Sequence, residues 1–177
     1  MNKFLFPLVL GMAALPALAD DGALPAFADV QIQISNEGKP VYTAFVLVPR
    51  SQEVVDDTVK TSTMAISCSR DVTVTPPPVY QDGVRITLAA VPWGNETMVR
   101  LQYSVATSKR DEEFSPFGER CNRLNVDNVS HGGNVANFIR TGEAMNIKND
   151  DVKITVTVKA TYMAAPAGRV PGQFLHG

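Results

Sequence analysis

Residues 152–159 read Val-Lys-Ile-Thr-Val-Thr-Val-Lys, and this stretch decides the fold. Every second side chain is apolar and β-branched, and the residues between them are Thr or Lys. Side chains along a β-strand point alternately to the two faces of a sheet, so this pattern is typical of a strand with one buried and one wet face. The same alternation recurs earlier in the chain, over residues 30–35, 84–90 and 99–105.

The alternating segments predict an all-β fold, an antiparallel β-sandwich. Residues 36–39, Asn-Glu-Gly-Lys, form a predicted turn, so the strands on either side of it are expected to form a hairpin. The second strand, residues 41–48, is apolar on both faces and is expected to be central. Apolar residues rarely recur at the three- and four-residue spacing of a helix. Only residues 135–139 are consistent with either a short helix or a strand.

The N-terminus has the layout of a secretory signal peptide. Lys3 precedes an uncharged apolar run over residues 4–15, and Ala17-Leu18-Ala19 is a small-x-small cleavage signal. The run is short for a membrane span, so we expect cleavage rather than an uncleaved anchor. The expected organisation is a signal peptide over residues 1–19, an N-terminal linker over 20–28, the β-sandwich domain over 29–163 and a flexible, disordered tail over 164–177. We expect a periplasmic protein that is not inserted in the membrane after cleavage, or one that passes on to the cell surface or beyond.

Cys68 and Cys121 are the two cysteines of the chain. In an oxidising compartment an even count predicts a disulfide, which would stabilise a fold of this kind by about 4 kcal/mol in the chain-entropy model. A reactive pair and a metal site are the alternatives, but a Cys-x-x-Cys spacing is lacking and further ligands are few. We expect the disulfide to tie the long irregular segment from Ser108 to Asn122 to the sheet that carries Cys68.

Catalytic equipment is sparse, and we expect no enzyme, no cofactor and no metal site. His131 stands in Ser130-His131-Gly132-Gly133 without a nucleophile elbow nearby, and His176 lies in the predicted tail. The paired acids fall in predicted turns or on neighbouring strand positions, which do not face each other across a cleft. A cell-wall hydrolase that uses Glu143 or Asp82 stays open as an alternative.

Three residues are candidates for interaction. Trp93 follows Pro92 at the end of a strand, where either a core position or an exposed contact is consistent with the sequence. If Trp93 and Tyr103 line one pocket, the chain binds a small ligand. Thr157 is the position at which to test strand addition, because residues 152–162 would offer a pairing edge if they lie at the border of a sheet.

One stretch resembles a known family. Val74-Thr75-Pro76, followed by Asp82-Gly83-Val84 and alternating Ile86 and Leu88, is similar to the C-terminal β-domain of secretins. Thr141-Gly142-Glu143 with Ile147 is similar to the turn before a closing strand in the same domain. The resemblance covers about residues 29–163. The chain lacks the gate segment and the preceding ring-forming domains of a whole secretin, so the resemblance implies an accessory β-module of a pilus, secretion or conjugation apparatus.

The charge and composition of the chain argue against two classes of binding partner. The net charge is −2, and Lys and Arg are scattered along the chain, which argues against nucleic acid or an anionic membrane surface. The sequence therefore favours an exported, non-enzymatic protein that binds other envelope proteins. A small-ligand-binding protein and an inhibitor or immunity protein are the alternatives.

Overall fold

The structure is a computed structural model that describes residues 24–63, 79–113 and 123–177. The described residues do not include the predicted signal peptide, residues 20–23 of the predicted linker, Pro76-Pro77-Pro78, Cys68 or Cys121. Two antiparallel sheets account for the described chain, and helix is absent from these ranges, so the all-β prediction is confirmed. The strands are β1 (Phe27–Asn36), β2 (Lys39–Pro49), β3 (Glu53–Asp57), β4 (Lys60–Thr63), β5 (Val79–Trp93), β6 (Glu96–Glu113), β7 (Arg123–Arg140), β8 (Ala144–Asn149), β9 (Val152–Tyr162) and β10 (Phe174–His176).

The strand order leaves two sandwich-like layers. Sheet A has the order β10-β2-β1-β9-β8, and sheet B has the order β3-β5-β6-β7, with β4 pairing the first residues of β5. One hydrophobic cluster lies between the sheets and takes alternate residues from their long strands. The alternation predicted for residues 152–159 is confirmed, because Val152, Ile154, Val156 and Val158 are all fully buried while Lys153 and Lys159 are exposed.

The predicted hairpin at residues 30–48 is also confirmed. Strands β1 and β2 pair in antiparallel register around the two-residue loop Glu37-Gly38. Both loop residues have positive φ, 49° and 78°, which is the geometry that matches the twist of hairpin strands and that glycine adopts without strain. Strand β2 lies between β10 and β1, so its predicted central place in the sheet is correct.

Three other predictions need correction or completion. Residues 135–139 belong to β7, so the open choice is settled as strand. Residues 108–113 continue β6 and pair with the start of β7, so the expected irregular segment is at least partly a regular strand pair. Strand β9 lies between β1 and β8; its residues 152–157 pair with both neighbours, whereas residues 158–162 pair with β1 alone among the described strands. Strand addition at Thr157 is therefore wrong, because a residue that is paired on both sides has no free edge.

The tail is ordered, contrary to the prediction of disorder for residues 164–177. Strand β10 pairs with β2, and the Gly172 N–H donates to the Leu47 carbonyl at 2.8 Å. Arg169 binds Asp29 on β1 through two nitrogens, at 2.9 and 3.3 Å. Composition failed here because a few specific long-range contacts fix a segment whose average apolar content is low. The tail thereby closes the β2 side of the sandwich.

The Arg169–Asp29 contact predicts how the tail is fastened. Arg169→Ala is expected to lower the free energy of unfolding by about 1–3 kcal/mol, because a mostly buried carboxylate loses its charged donors. Arg140→Ala is the matched control: its ion pair with Glu96 is exposed and should contribute less than about 1 kcal/mol. Urea unfolding of both variants gives the comparison. Equal small losses would mean that the Arg169–Asp29 contact contributes no more to the fold than an exposed ion pair does.

Candidate functional site

The outer face of sheet B carries an exposed apolar cluster at one end. In the strand register Val91 on β5 lies opposite Met98 on β6, and Met98 lies opposite Phe138 on β7. Trp93 lies two residues further along β5, on the same face of the sheet and opposite Glu96. The exposed fractions are 66% for Trp93, 58% for Phe138 and 38% for Met98. Side chains opposite each other in a sheet are close enough to touch, so these four form one surface, the Trp93 patch.

Three ion pairs lie on this face among the side chains that the structure describes. Arg140 lies opposite Glu96 beside the Trp93 patch, with Nε 3.4 Å from Oε1. Arg100 forms an ion pair with Glu53, and Arg85 contacts Asp57 at 2.5 Å. The Arg85 guanidinium, together with the Val59 N–H, holds the pKa of the Asp57 carboxyl below its usual range. A partner that covers the face would bury these charges as pairs, which avoids the large penalty of an unpaired buried charge.

Tyr103 lies on the opposite, inner face of sheet B. It is 5% exposed and belongs to the hydrophobic core. Its ring lies over Gly133, its cross-strand neighbour on β7, where a Cβ atom would approach the Tyr103 hydroxyl to 2.8 Å. Trp93 and Tyr103 therefore face away from each other and do not line one pocket. Tyr103 fills the space that the glycine leaves in the core.

Thr157 lies in the interior of sheet A. It is half-buried on β9, with Gln31 of β1 on one side and Ala144 of β8 on the other. The structure does not bring Thr157 near the Trp93 patch, which is on the outer face of the other sheet. Thr157 thus shares no surface with the other two candidates.

The acids considered for hydrolysis are also far apart. Asp82 lies in β5 beside Gly83, at the end of sheet B where Gly83 is paired with Ala106. Its carboxylate accepts a hydrogen bond from the Ser108 N–H at 2.8 Å. Glu143 follows the last residue of β7, at the opposite end of the sheet, where Trp93 is paired with Glu96. About ten residues of strand separate these rows, or roughly 33 Å, whereas glycosidase carboxyls lie about 5–10 Å apart. These two acids do not form a catalytic pair.

A second polar cluster joins the tail to both sheets. The Tyr42 hydroxyl donates to Asp56 Oδ2 at 2.6 Å, and His176 Nε2 lies 3.3 Å from the same oxygen. Burial, reinforced by the Asp56 hydrogen bond and charge, raises the pKa of the Tyr42 hydroxyl far above its usual range, so the hydroxyl stays a donor. His176 is thus held by β10 rather than frayed, and the cluster links β2, β3 and β10. The second histidine, His131, has Nδ1 3.6 Å from Asp150 Oδ2 and a similar bridging place.

Sequence reasoning identified Trp93 but missed Met98 and Phe138. The sequence held one signal for the orientation of Trp93: the apolar residues of the alternating stretch 84–90 have even numbers, so an odd-numbered residue such as 93 is expected to face outward. The pairing of Met98 with Phe138 depends on the register between β6 and β7, which a single sequence does not contain.

The contact between Tyr103 and Gly133 predicts a coupled pair. Gly133→Ala is expected to lower the free energy of unfolding by about 1–3 kcal/mol, because the new methyl overpacks a buried ring. In a Tyr103→Leu background the same change should have a smaller effect, since the ring is gone. Urea unfolding of the four proteins of this double-mutant cycle measures the coupling. An equal loss in both backgrounds would show that the two residues do not act on each other.

Two other kinds of site were sought among the described residues, membrane-spanning helices and metal-binding clusters. Helices long and apolar enough to cross a membrane are not found in residues 24–63, 79–113 and 123–177. Clusters of three or more His, Cys, Asp or Glu side chains suited to a metal ion are likewise not found in these ranges. The Trp93 patch is the candidate functional site because it groups exposed apolar side chains on one sheet face. No family model, curated protein or solved structure matches the chain.

Proposed function

We propose that this chain is an exported, non-enzymatic β-protein that binds other proteins of a bacterial envelope assembly through the Trp93 patch. The observation that carries the proposal is the grouping of Trp93, Met98 and Phe138 on one exposed sheet face. Aromatic residues, Met and Arg are enriched at protein interfaces, and Trp is among the commonest hot-spot residues. Exposed single apolar residues are ordinary, but adjacent ones in one patch indicate a contact surface.

The sequence supplies the compartment for this proposal. Lys3, the apolar run and Ala17-Leu18-Ala19 support export through a cleaved signal peptide. Cys68 and Cys121 support a disulfide in the oxidising periplasm. The similarity of residues 82–88 and 141–147 to secretin β-domains supports a pilus, secretion or conjugation apparatus as the assembly. Together they make an envelope protein the expected partner of the Trp93 patch.

Affinity capture from the cell envelope after mild cross-linking tests the proposal. Trp93→Ala and Met98→Ala should each reduce recovery of the partner by about tenfold or more, since truncation of a hot-spot side chain typically removes 2 kcal/mol or more of binding free energy. Val55→Ala is the matched control, because Val55 is 62% exposed on the same outer face but lies opposite Thr87, away from the patch. The control should bind like the wild type.

The identity of the captured protein separates the alternatives. An assembly component that depends on Trp93 supports the proposal, whereas an enzyme that is inhibited on binding would assign the chain to the inhibitor or immunity class. Recovery that is unchanged in both patch variants would contradict the patch as the binding surface.

Trp93 also provides a direct readout, because it is the single tryptophan of the chain. Its emission should shift to shorter wavelength when the purified partner is added, since binding removes water from an indole that is now largely exposed. An emission spectrum that does not change at saturating partner would contradict burial of Trp93 in the complex.

A further inference from the structure

Strand β7 is a border strand of sheet B that lacks the usual protection. In the described residues it pairs with β6 on one side and with no strand on the other. Residues 129–139 contain no Lys, Arg, Asp, Glu or Pro. Natural proteins usually protect exposed edges with charged residues, proline or very short strands, because the free backbone groups otherwise pair with another chain.

The other border strands show that protection. Strand β8 has six residues and carries Lys148, β10 has three residues, and β3 has five residues of which three are acidic. Strand β4 has four residues and begins with Lys60. The contrast within one molecule indicates that the edge of β7 is kept available for pairing.

Two hydrogen bonds show which backbone groups of β7 face this edge. The Phe138 N–H donates to its neighbour's side chain, Asn137 Oδ1, at 2.9 Å. The Gly132 carbonyl accepts from Asn149 Nδ2 at 3.3 Å. Both partners lie outside β6, which indicates that even-numbered residues of this stretch turn their N–H and C=O groups away from β6. The Asn137 and Asn149 side chains occupy these two backbone groups, and an incoming strand would displace them.

We propose that the edge of β7 pairs with the same edge of a second copy of this chain. The two strands would run antiparallel around a two-fold axis at Val135, joining two copies of sheet B into one continuous sheet. This register places Phe138 of each copy opposite Gly132 of the other, and Asn134 opposite Ala136. All four residues are even-numbered, so their outward N–H and C=O groups meet as hydrogen-bonded pairs.

The side chains in this register explain why the partner is a second copy. Phe138 is 58% exposed, and the glycine opposite leaves room for its ring. The same chain already uses this arrangement internally, where Tyr103 covers Gly133. No Lys, Arg, Asp or Glu side chain within residues 129–139 would face another across the axis, so no like charges are brought together. The edge is therefore complementary to itself in shape, and pairing it with itself brings no charged side chains of residues 129–139 together.

The pairing goes beyond the proposed function and does not depend on it. Trp93 and Met98 lie on β5 and β6 and stay exposed in the dimer, whereas Phe138 of the Trp93 patch lies on β7 and packs on Gly132 of the second copy. Loss of partner binding in Trp93→Ala would therefore leave the dimer intact. Loss of the dimer in an edge variant would leave the proposed function to be judged by its own experiment.

Cysteine cross-linking tests the register directly. The new thiols of Val135→Cys should form an intermolecular disulfide under mild oxidation, because residues opposite each other at a non-hydrogen-bonded position have Cα atoms about 4.5 Å apart. Asn137→Cys is the control on the same strand face: its two copies would lie roughly 13 Å apart along the strands, too far for a disulfide. Mass spectrometry of the linked peptides separates this product from any bond made by Cys68 or Cys121.

Sedimentation analysis over a concentration series tests the backbone pairing. Ala136→Pro removes an outward N–H without touching the bonds to β6, so it should raise the dimer dissociation constant by about tenfold or more. Ala136→Ser keeps that N–H and should dimerise like the wild type. Circular dichroism verifies that the proline variant is folded, and the cross-linking result stands by itself if that variant is not. A wild type that stays monomeric, or Val135→Cys that cross-links no better than Asn137→Cys, would overturn the proposal.

Discussion

The burial of two sheet faces against each other is the constraint on which the rest of this structure depends. Alternate residues of β1, β9, β5 and β6 enter one hydrophobic cluster, and the residues between them face water or the tail. A slip of one residue in any of these strands would exchange the two faces, so the buried set fixes the register. Once Ile86, Leu101 and Ile154 point inward, Trp93 and Met98 must point outward. The exposed patch is thus a consequence of the same alternation that builds the core.

A second consequence concerns the two open sides of the sandwich. On the β2 side the tail contacts both sheets. Strand β10 pairs with β2 and extends sheet A, and the Asp56 carboxylate of β3 accepts a hydrogen bond from Tyr42 and lies within ion-pair distance of His176. On the β7 side the two sheets are joined by a short turn and by side-chain contacts such as Asn149 to Gly132. On one side a strand of the tail therefore covers the backbone edge of β2, while on the other side the described contacts at the backbone edge of β7 come from side chains.

The sequence predicted what depends on local periodicity and missed what depends on distant pairing. Strands, the hairpin at Glu37-Gly38 and the buried residues of β9 follow from alternation, because burial selects every second side chain. The order of the tail was missed because it rests on contacts such as Arg169 to Asp29, which join residues far apart in the chain. The position of β9 between two other strands and the pairing of Met98 with Phe138 were missed because they too depend on residues far apart in the chain. Strand order and register are properties of the whole sheet, and no window of one strand contains them.

Site-specific photo-cross-linking in intact cells tests the central claim, that the outer face of sheet B is the binding surface, most directly. A photoreactive side chain would be placed in turn at Val91 and Gln102 on that face and at Gln33 and Thr155 on the outer face of sheet A. We expect cross-links to one envelope protein from position 91, weaker ones from position 102, and none from the two sheet A positions. Cross-links mainly from sheet A, or equal yields from both faces, would contradict it.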